Sequence, residues 1–363
     1  MRIAIYATNE YPYPVPAGYI HGVVTVAGAL ADGLTEMGHT VEFFCSEDST
    51  TKANKRSLGY NSYINLPMSV PSGKARYQTK SYYAQRMARD MALYLRDHPV
   101  DVIHLHNVRD ALPFMQFLPD TPKIVTVHDS LFITQYNFFL SLYKNSPNTY
   151  FVSISKRQQM GMPELSFYDN VYNGTDTNLF KFNPFPTNQV LFSGRFIPEK
   201  GVDIALQAAQ QAHRPIHVIG FFDPRVELAK EFKQSVTVLL HQPYVKYTKK
   251  ADYASLAKYY GQAQALLFPI QWEEAFGLVM IEAMSCGTPV IAFKRGSVPE
   301  IIKDGKTGFI VSTIPEMVRA IKKVSTISRR ECREHVVNKF SYNSMIQKYQ
   351  SVYEAVLQNN LKK

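Results

Sequence analysis

Residues 268–293 read FPIQWEEAFGLVMIEAMSCGTPVIAF. An apolar strand ends in a polar loop, an apolar helical run follows, and PVIAF begins a second strand. Strand, loop, helix and strand make the repeating unit of a parallel α/β sheet. The pattern predicts a helix starting at about Ala275. Glu274 and Glu282 are eight residues apart, a little more than two helical turns. Glu274 sits at the mouth of that helix, where a carboxylate is favoured by the dipole. Glu282 lies inside an apolar run, where an unpartnered carboxylate is costly. Hydrogen bonds from the hydroxyls of a ligand would account for it. The first-turn amides of Phe276, Gly277 and Leu278 lack intrahelical acceptors and suit an anionic or hydroxyl-rich ligand.

The same alternation extends in both directions. Upstream, QVLFSGR reads as a strand with a helix from Val202 after it, then IHVIG and VTVLL as strands. Downstream, GFIV is another. The N-terminal half repeats the scheme with IAIYA, VEFFC, VDVIHLH, KIVTVHD and TYFVSIS. Between IAIYA and VEFFC, Val23, Val26, Ala27, Leu30, Leu34 and Met37 recur at helical spacing, and Gly38 closes the helix. Ser46–Ser81 is weakly periodic and reads as a long loop. FKFNPFPTN reads as a linker. The expected fold class is α/β, with two Rossmann-like domains at 1–180 and 188–340. A final helix occupies 341–363, a candidate to cross back to the first domain.

A length of 363 residues suits two such domains. The chain opens directly on a strand and holds no run of membrane-spanning length, so the expectation is a cytoplasmic protein. Cys45, Cys286 and Cys332 are far apart, fit no metal spacing, and read as small core residues. Lys and Arg outnumber Asp and Glu by 40 to 30, a formal charge of +10. Thr50–His98 holds nine basic residues against Asp90 and Asp97. Such a run is either a solvated face or a docking surface for an anionic acceptor or membrane surface. No nucleic-acid-binding motif accompanies the charge.

Ligands of open parallel sheets bind beyond the carboxyl ends of strands. Candidates at such ends are His104, His106, His128, Asp129, Ser155, Gly194 and Arg195. Within SGRFIPEKG, Arg195 offers a planar fork and Lys200 a point charge, a pair suited to a diphosphate leaving group.

These motifs resemble those of the retaining GT-B-fold glycosyltransferases of family 4, whose two Rossmann-like domains face each other across a cleft. The likeness runs over nearly the whole chain. It rests on the Glu274/Glu282 pair in EEAFGLVMIEAMSCGTPVIA, on SGR…EKG, on VYNGTD (171–176) and on GSVPEIIKDGKTGFIV (296–311). TVHD, EMGHTVEFF and VDVIHLH add looser matches in the first half. The resemblance implies that Glu274 contacts the transferred sugar and that Phe276–Leu278 support it. It also implies that Glu282 binds ribose, that Arg195 and Lys200 clamp the diphosphate, and that His128 lies beside the sugar's 6-position. Gly22 resembles the second glycine of a pair that meets the phosphates, with His21 in place of the first. Val245, in HQPYV, matches a residue beside the base, though the family's glycine is absent.

The expected function is transfer of a hexosyl unit from a nucleoside-diphosphate sugar, UDP-glucose favoured. The acceptor is a sugar, a lipid-linked molecule or a small molecule. No Asp-x-Asp occurs, so no metal is expected to bridge the diphosphate. No G-x-G-x-x-G occurs, which argues against a nicotinamide or flavin enzyme. The alternatives are a same-fold nucleotide-sugar epimerase or phosphorylase, and a catalytically silent nucleotide-sugar- or glycan-binding protein.

Overall fold

The computed structural model describes residues 1–66, 73–223 and 227–360. The chain divides into two compact units, one of residues 1–16, 20–173 and 342–363, the other of 17–19 and 174–341.

The first unit carries β1 (Arg2–Tyr6), α1 (Gly22–Glu36), β2 (Thr40–Phe44), β3 (Asn54–Lys55), α2 (Gly73–Asp97), β4 (Val102–Leu105), α3 (Val108–Met115), β5 (Lys123–Val127), α4 (Thr134–Ser141), β6 (Thr149–Ser153), α5 (Lys156–Gln159) and β7 (Phe167–Asn170). The second carries β8 (Val190–Ser193), α6 (Val202–Gln211), β9 (Ile216–Ile219), α7 (Lys230–Leu240), β10 (Val245–Thr248), α8 (Tyr253–Gln262), β11 (Ala265–Phe268), α9 (Leu278–Ser285), β12 (Val290–Phe293), α10 (Val298–Ile301), β13 (Gly308–Val311), α11 (Ile314–Lys323) and α12 (Arg329–Lys339). The last helix, α13 (Tyr342–Asn360), belongs to the first unit.

Both sheets are parallel, in the orders β3-β2-β1-β4-β5-β6-β7 and β10-β9-β8-β11-β12-β13. The central strands are buried, all but Arg2 at the start of β1, because helices cover both faces. In the first unit Tyr6, Leu105 and Val125 pack with Met87 and Met91 of α2 and Leu112 of α3. In the second, Phe192, Val218 and Leu267 pack with Leu206 of α6 and Ile321 of α11. Each sheet reverses its strand order once, beside β1 and β4 and beside β8 and β11. A crevice opens at such a switch point, beyond the carboxyl ends of the two diverging strands.

Five sequence expectations change. VTVLL is the end of α7 rather than a strand. Of its two outer valines, Val236 is buried and Val238 exposed, as on a helix with one covered face. The expected loop at Ser46–Ser81 contains β3 and gives way to α2 at Gly73, while 67–72 lie outside the described residues. The helix expected at Ala275 begins at Leu278, because Gly277 takes φ = 85°, a left-handed conformation that no helix continues through. The chain passes between units at Asn173/Gly174 rather than near residue 180. Phe180 belongs to the second unit, where it packs on Tyr260 and its carbonyl accepts from Arg333 at 2.7 Å. For the same reason FKFNPFPTN is part of the second unit rather than a linker outside it. The three cysteines are free and buried, as expected of core residues.

Candidate functional site

In the second unit the switch point brings together two distant stretches. After β8 the chain runs through Arg195 to a short 3-10 turn at Pro198–Lys200, then to Gly201. Gly201 has φ = 68°, and a Cβ there would lie 2.3 Å from the Pro269 carbonyl oxygen. Only glycine lets this turn press against the end of β11. The Gln271 N–H, just past β11, donates to the Glu199 carbonyl at 2.8 Å. The contact delivers Lys200 to Glu274. Their side chains form an ion pair, both mostly buried, and the Trp272 indole N–H donates to the same Glu274 oxygen at 2.9 Å. Lys200 Nζ also lies 5.0 Å from the centre of the Trp272 ring, a cation–π contact.

The GSVPE turn holds this loop from below. Ser297 N–H donates to the Glu274 carbonyl at 3.0 Å, and Ser297 Oγ to the Phe276 carbonyl at 2.6 Å. The Gly296 N–H donates to Glu273 Oε2 at 3.1 Å. Glu274 is therefore fixed at both its backbone and its carboxylate. Gly277 and Leu278 follow as the N-terminus of α9, with their N–H groups at its dipole-positive end.

The other expected donor-binding residues are placed less uniformly. Arg195 Nη1 donates to the buried Asp223 carboxylate at 2.7 Å, which orients the guanidinium. The Gly194 N–H is engaged with the Ile219 carbonyl at 3.0 Å. Glu282 is buried on α9 and accepts from the Tyr260 hydroxyl at 3.1 Å. Burial pushes its carboxyl up to about 7, and the Tyr260 hydrogen bond offsets part of that rise. Val245 is misplaced. The register pairs it with Ile216, and Ile216 with Val190, at the amino ends of β10, β9 and β8. The carboxyl ends, where Arg195 stands, lie at the opposite edge of the sheet. The loop leaving β10 at that edge is Lys249–Asp252, so the match of HQPYV to a base-binding loop fails on geometry.

In the first unit a cavity of about 460 Å³ lies beyond the ends of β1, β4 and β5, at that sheet's own switch point. His106 and His128 both line it, with His106 Nδ1 2.9 Å from His128 Nε2. Burial takes His106 well below the usual histidine range and His128 down to about 3, and the neighbouring imidazoles lower both further. Both rings are neutral at pH 7. His104 is a structural residue: its Nδ1 lies 2.7 Å from the Tyr353 hydroxyl and its Nε2 2.8 Å from Thr126 Oγ1. Thr126 Oγ1 in turn pairs with Tyr349 at 2.8 Å. Ser155 caps α5 through the Gln158 N–H.

His21, where the resemblance places a glycine, is the N-cap of α1. Its Nδ1 accepts from the Val24 N–H at 3.3 Å, so Nε2 carries the proton and points toward Glu10, 3.5 Å away. Gly22 is the first residue of α1. Glu10 also accepts from Lys80 at 2.9 Å. Burial raises the Glu10 carboxyl, but the contacts with His21 and Lys80 outweigh it and bring the group to about 2. Tyr136 and Phe139 of α4 add an aromatic wall to the same cavity.

The basic segment is largely neutralised locally. Lys52 pairs with Glu36, Lys55 with Glu47, Arg56 with Glu42, Lys80 with Glu10, Arg89 with Asp90 and Arg96 with Asp97. Residues 67–72 and the side chains of 73–77, Lys74 and Arg76 included, lie outside the described residues. Sequence reasoning missed Trp272 and Asp223. Trp272, two residues before Glu274, is the chain's only tryptophan and was the available signal. Asp223 had none.

Two parallel α/β units of this topology make the GT-B fold, and the basic residue and carboxylate joined at the switch point of the second suit glycosyl transfer. The comparisons agree. Residues 176–339 match the glycosyl transferases group 1 model and residues 20–159 the glycosyltransferase family 4 model. The chain belongs to the group 1 glycosyltransferases. It is 32% identical over 172 residues to an uncharacterized 41.2 kDa protein in the cps region of Klebsiella pneumoniae; the match spans 46% of each chain, less than half of that relative's length. Its fold is similar to that of sucrose-phosphate synthase from Thermosynechococcus elongatus (TM-score 0.78, 18% identity, 99% of each chain). It is also similar to Anabaena Alr3699/HepE, solved in complex with UDP-glucose (TM-score 0.70, 18% identity, 98% of this chain and 100% of that one).

Proposed function

We propose that the protein is a retaining hexosyltransferase that uses a UDP-linked hexose, UDP-glucose first among them, and needs no metal ion. The observation that carries this reading is the Lys200–Glu274–Trp272 cluster at the switch point of the second sheet. A cation and an oriented carboxylate in one mostly buried place serve the two demands of the reaction. As the bond from the anomeric carbon to the diphosphate breaks, negative charge grows on the phosphate and positive charge on the sugar ring. Lys200, with Arg195 and the α9 amides, stabilises the first. Glu274 orients the sugar hydroxyls and stabilises the second. The acceptor oxygen attacks from the face the diphosphate leaves, and its proton passes to the departing phosphate oxygen.

The acceptor reading rests on the first unit's cavity. Its charged groups are mixed, with Glu10, Asp110 and Asp129 beside Lys80 and Arg109, and two aromatic rings supply an apolar wall. That lining suits a hydroxyl-rich carbohydrate, whose edges bond to polar groups and whose faces stack on rings. The UDP-glucose complex of the Anabaena protein supports UDP over other bases. Thermal shift against UDP-, GDP- and ADP-hexoses tests the donor, and the anomeric configuration of the product tests retention. Stabilisation by GDP- or ADP-hexose alone, or an inverted product, overturns the corresponding part.

A further inference from the structure

We infer that Trp272 is a positioning residue, one that keeps Glu274 aimed at the sugar once the donor diphosphate draws Lys200 away; the inference rests on the transferase reading of this site. The indole makes two contacts of different kinds. Its N–H donates to Glu274 Oε2 at 2.9 Å, and the Lys200 ammonium lies over its face, 5.0 Å from the ring centre. Lys200 also donates to Oε2, so both donors meet one oxygen of the carboxylate. Glu274 Oε1 has no partner among the described residues. That oxygen is the one left to accept from a sugar hydroxyl, and the donors on Oε2 decide where it points. The loop presents the indole firmly. The Glu274 N–H donates to the Trp272 carbonyl at 3.0 Å, a three-residue turn that brings residues 272 and 274 together. On its other side the Gln271 side-chain amide donates to the Pro269 carbonyl at 2.8 Å.

Without a ligand, Lys200 and Glu274 neutralise each other. A diphosphate competes for that ammonium with more negative charge than one carboxylate carries. As the ammonium turns to the phosphate oxygens, Glu274 loses its cation. A mostly buried carboxylate left with no donor is costly and poorly oriented. Among the described residues the Trp272 N–H is the donor that stays. The ring face acts on the other partner. A cation–π attraction is spread over the face, so the ammonium can shift toward the diphosphate without leaving the site. Phenylalanine at 272 supplies a face and no N–H; leucine supplies neither.

The test compares a nucleoside diphosphate with its glucose ester by calorimetry on the full chain, UDP with UDP-glucose first, then the GDP and ADP pairs. Trp272→Phe should weaken the sugar nucleotide about tenfold and the bare diphosphate by no more than about threefold. Trp272→Leu should weaken both, because the face is gone as well. Circular dichroism confirms that each variant is folded. Equal weakening of both ligands by Trp272→Phe marks a loosened loop and overturns the inference, as does weakening of neither. A second measurement needs no variant at 272. Trp272 is the chain's only tryptophan, so tryptophan emission reports on this site alone. Saturation with the diphosphate should change that emission as the ammonium shifts, and Lys200→Met should remove most of the change. A bound diphosphate that leaves the emission unaltered, or alters it as much in Lys200→Met, also overturns the inference. If none of the three pairs binds the wild type, the donor reading fails and the inference with it; binding with an unsplit loss in Trp272→Phe sinks the inference alone.

Discussion

His106 Nδ1 and His128 Nε2 stand 2.9 Å apart, two neutral rings that share one proton between those nitrogens. The buried His106 Nε2 has no hydrogen-bond partner among the described residues. A lone pair left there costs less than an orphaned N–H. His106 therefore donates from Nδ1, and His128 keeps its own proton on Nδ1, a donor suited to a sugar oxygen. Nitrogen-15 spectra should show neutral His128 protonated at Nδ1 at pH 7. His106→Phe should release that preference and lower transfer, and His106→Asn, which restores a donor near the Nδ1 position, should recover part of it. Protonation at Nε2 in the wild type would overturn the assignment.

Glu274→Gln keeps the size and most hydrogen bonding of the side chain and deletes the charge that pairs with Lys200. Transfer should fall by roughly a hundredfold or more. UDP affinity by calorimetry should stay within about threefold, because Lys200 remains. A variant that loses about 1 kcal/mol of stability and keeps near-normal turnover would reduce Glu274 to a structural role.

Glu282 gives a pH dependence with a definite sign. With its carboxyl at about 7 in the free protein, it is largely protonated at pH 6. Ribose hydroxyls donating to it would favour the ionised form, so binding should release a proton. UDP affinity should then rise with pH between about 5 and 7, by at most tenfold per unit, and level off above. Calorimetry in buffers of different ionisation enthalpy measures the proton. Proton uptake, a flat profile in the wild type, or a rise with pH that survives in Glu282→Gln contradicts ribose binding.

Arg195→Ala should reduce turnover roughly a hundredfold if the guanidinium meets the diphosphate. The structure adds a second effect, since the same group pairs with buried Asp223. About 1 kcal/mol of stability should go with it, the modest size reflecting a guanidinium one-third in water. Chemical denaturation and kinetics on one preparation separate the two. Unchanged turnover removes Arg195 from the site.

Transfer should persist in excess EDTA, since Lys200, Arg195 and the α9 amides take the place of a bridging cation. Loss of activity restored by magnesium or manganese would refute this.

The sheets were legible because their central strands are short, apolar and evenly spaced. Glu274 and Lys200 could be picked out in sequence because each follows a strand within a distinctive run. Their contact could not, because it depends on Gly201 fitting beneath Pro269. VTVLL misled because β-branched residues ended a helix. Val245 misled because a loop was matched by wording rather than by which end of the strand it occupies. His104 looked like His106 and His128 in sequence. Only the return of α13, with Tyr349 and Tyr353, marks it as a core residue.

That return has a consequence for synthesis. The second unit is almost a single continuous stretch, complete once Ser341 has left the ribosome. The first unit begins at residue 1 yet is unfinished until α13 emerges. Until then Thr126 and the Nδ1 of His104 lack the tyrosine hydroxyls that satisfy them. The half translated first should therefore close last, and a chain truncated before Tyr349 and released from the ribosome should hold a folded second unit and an unsealed first one.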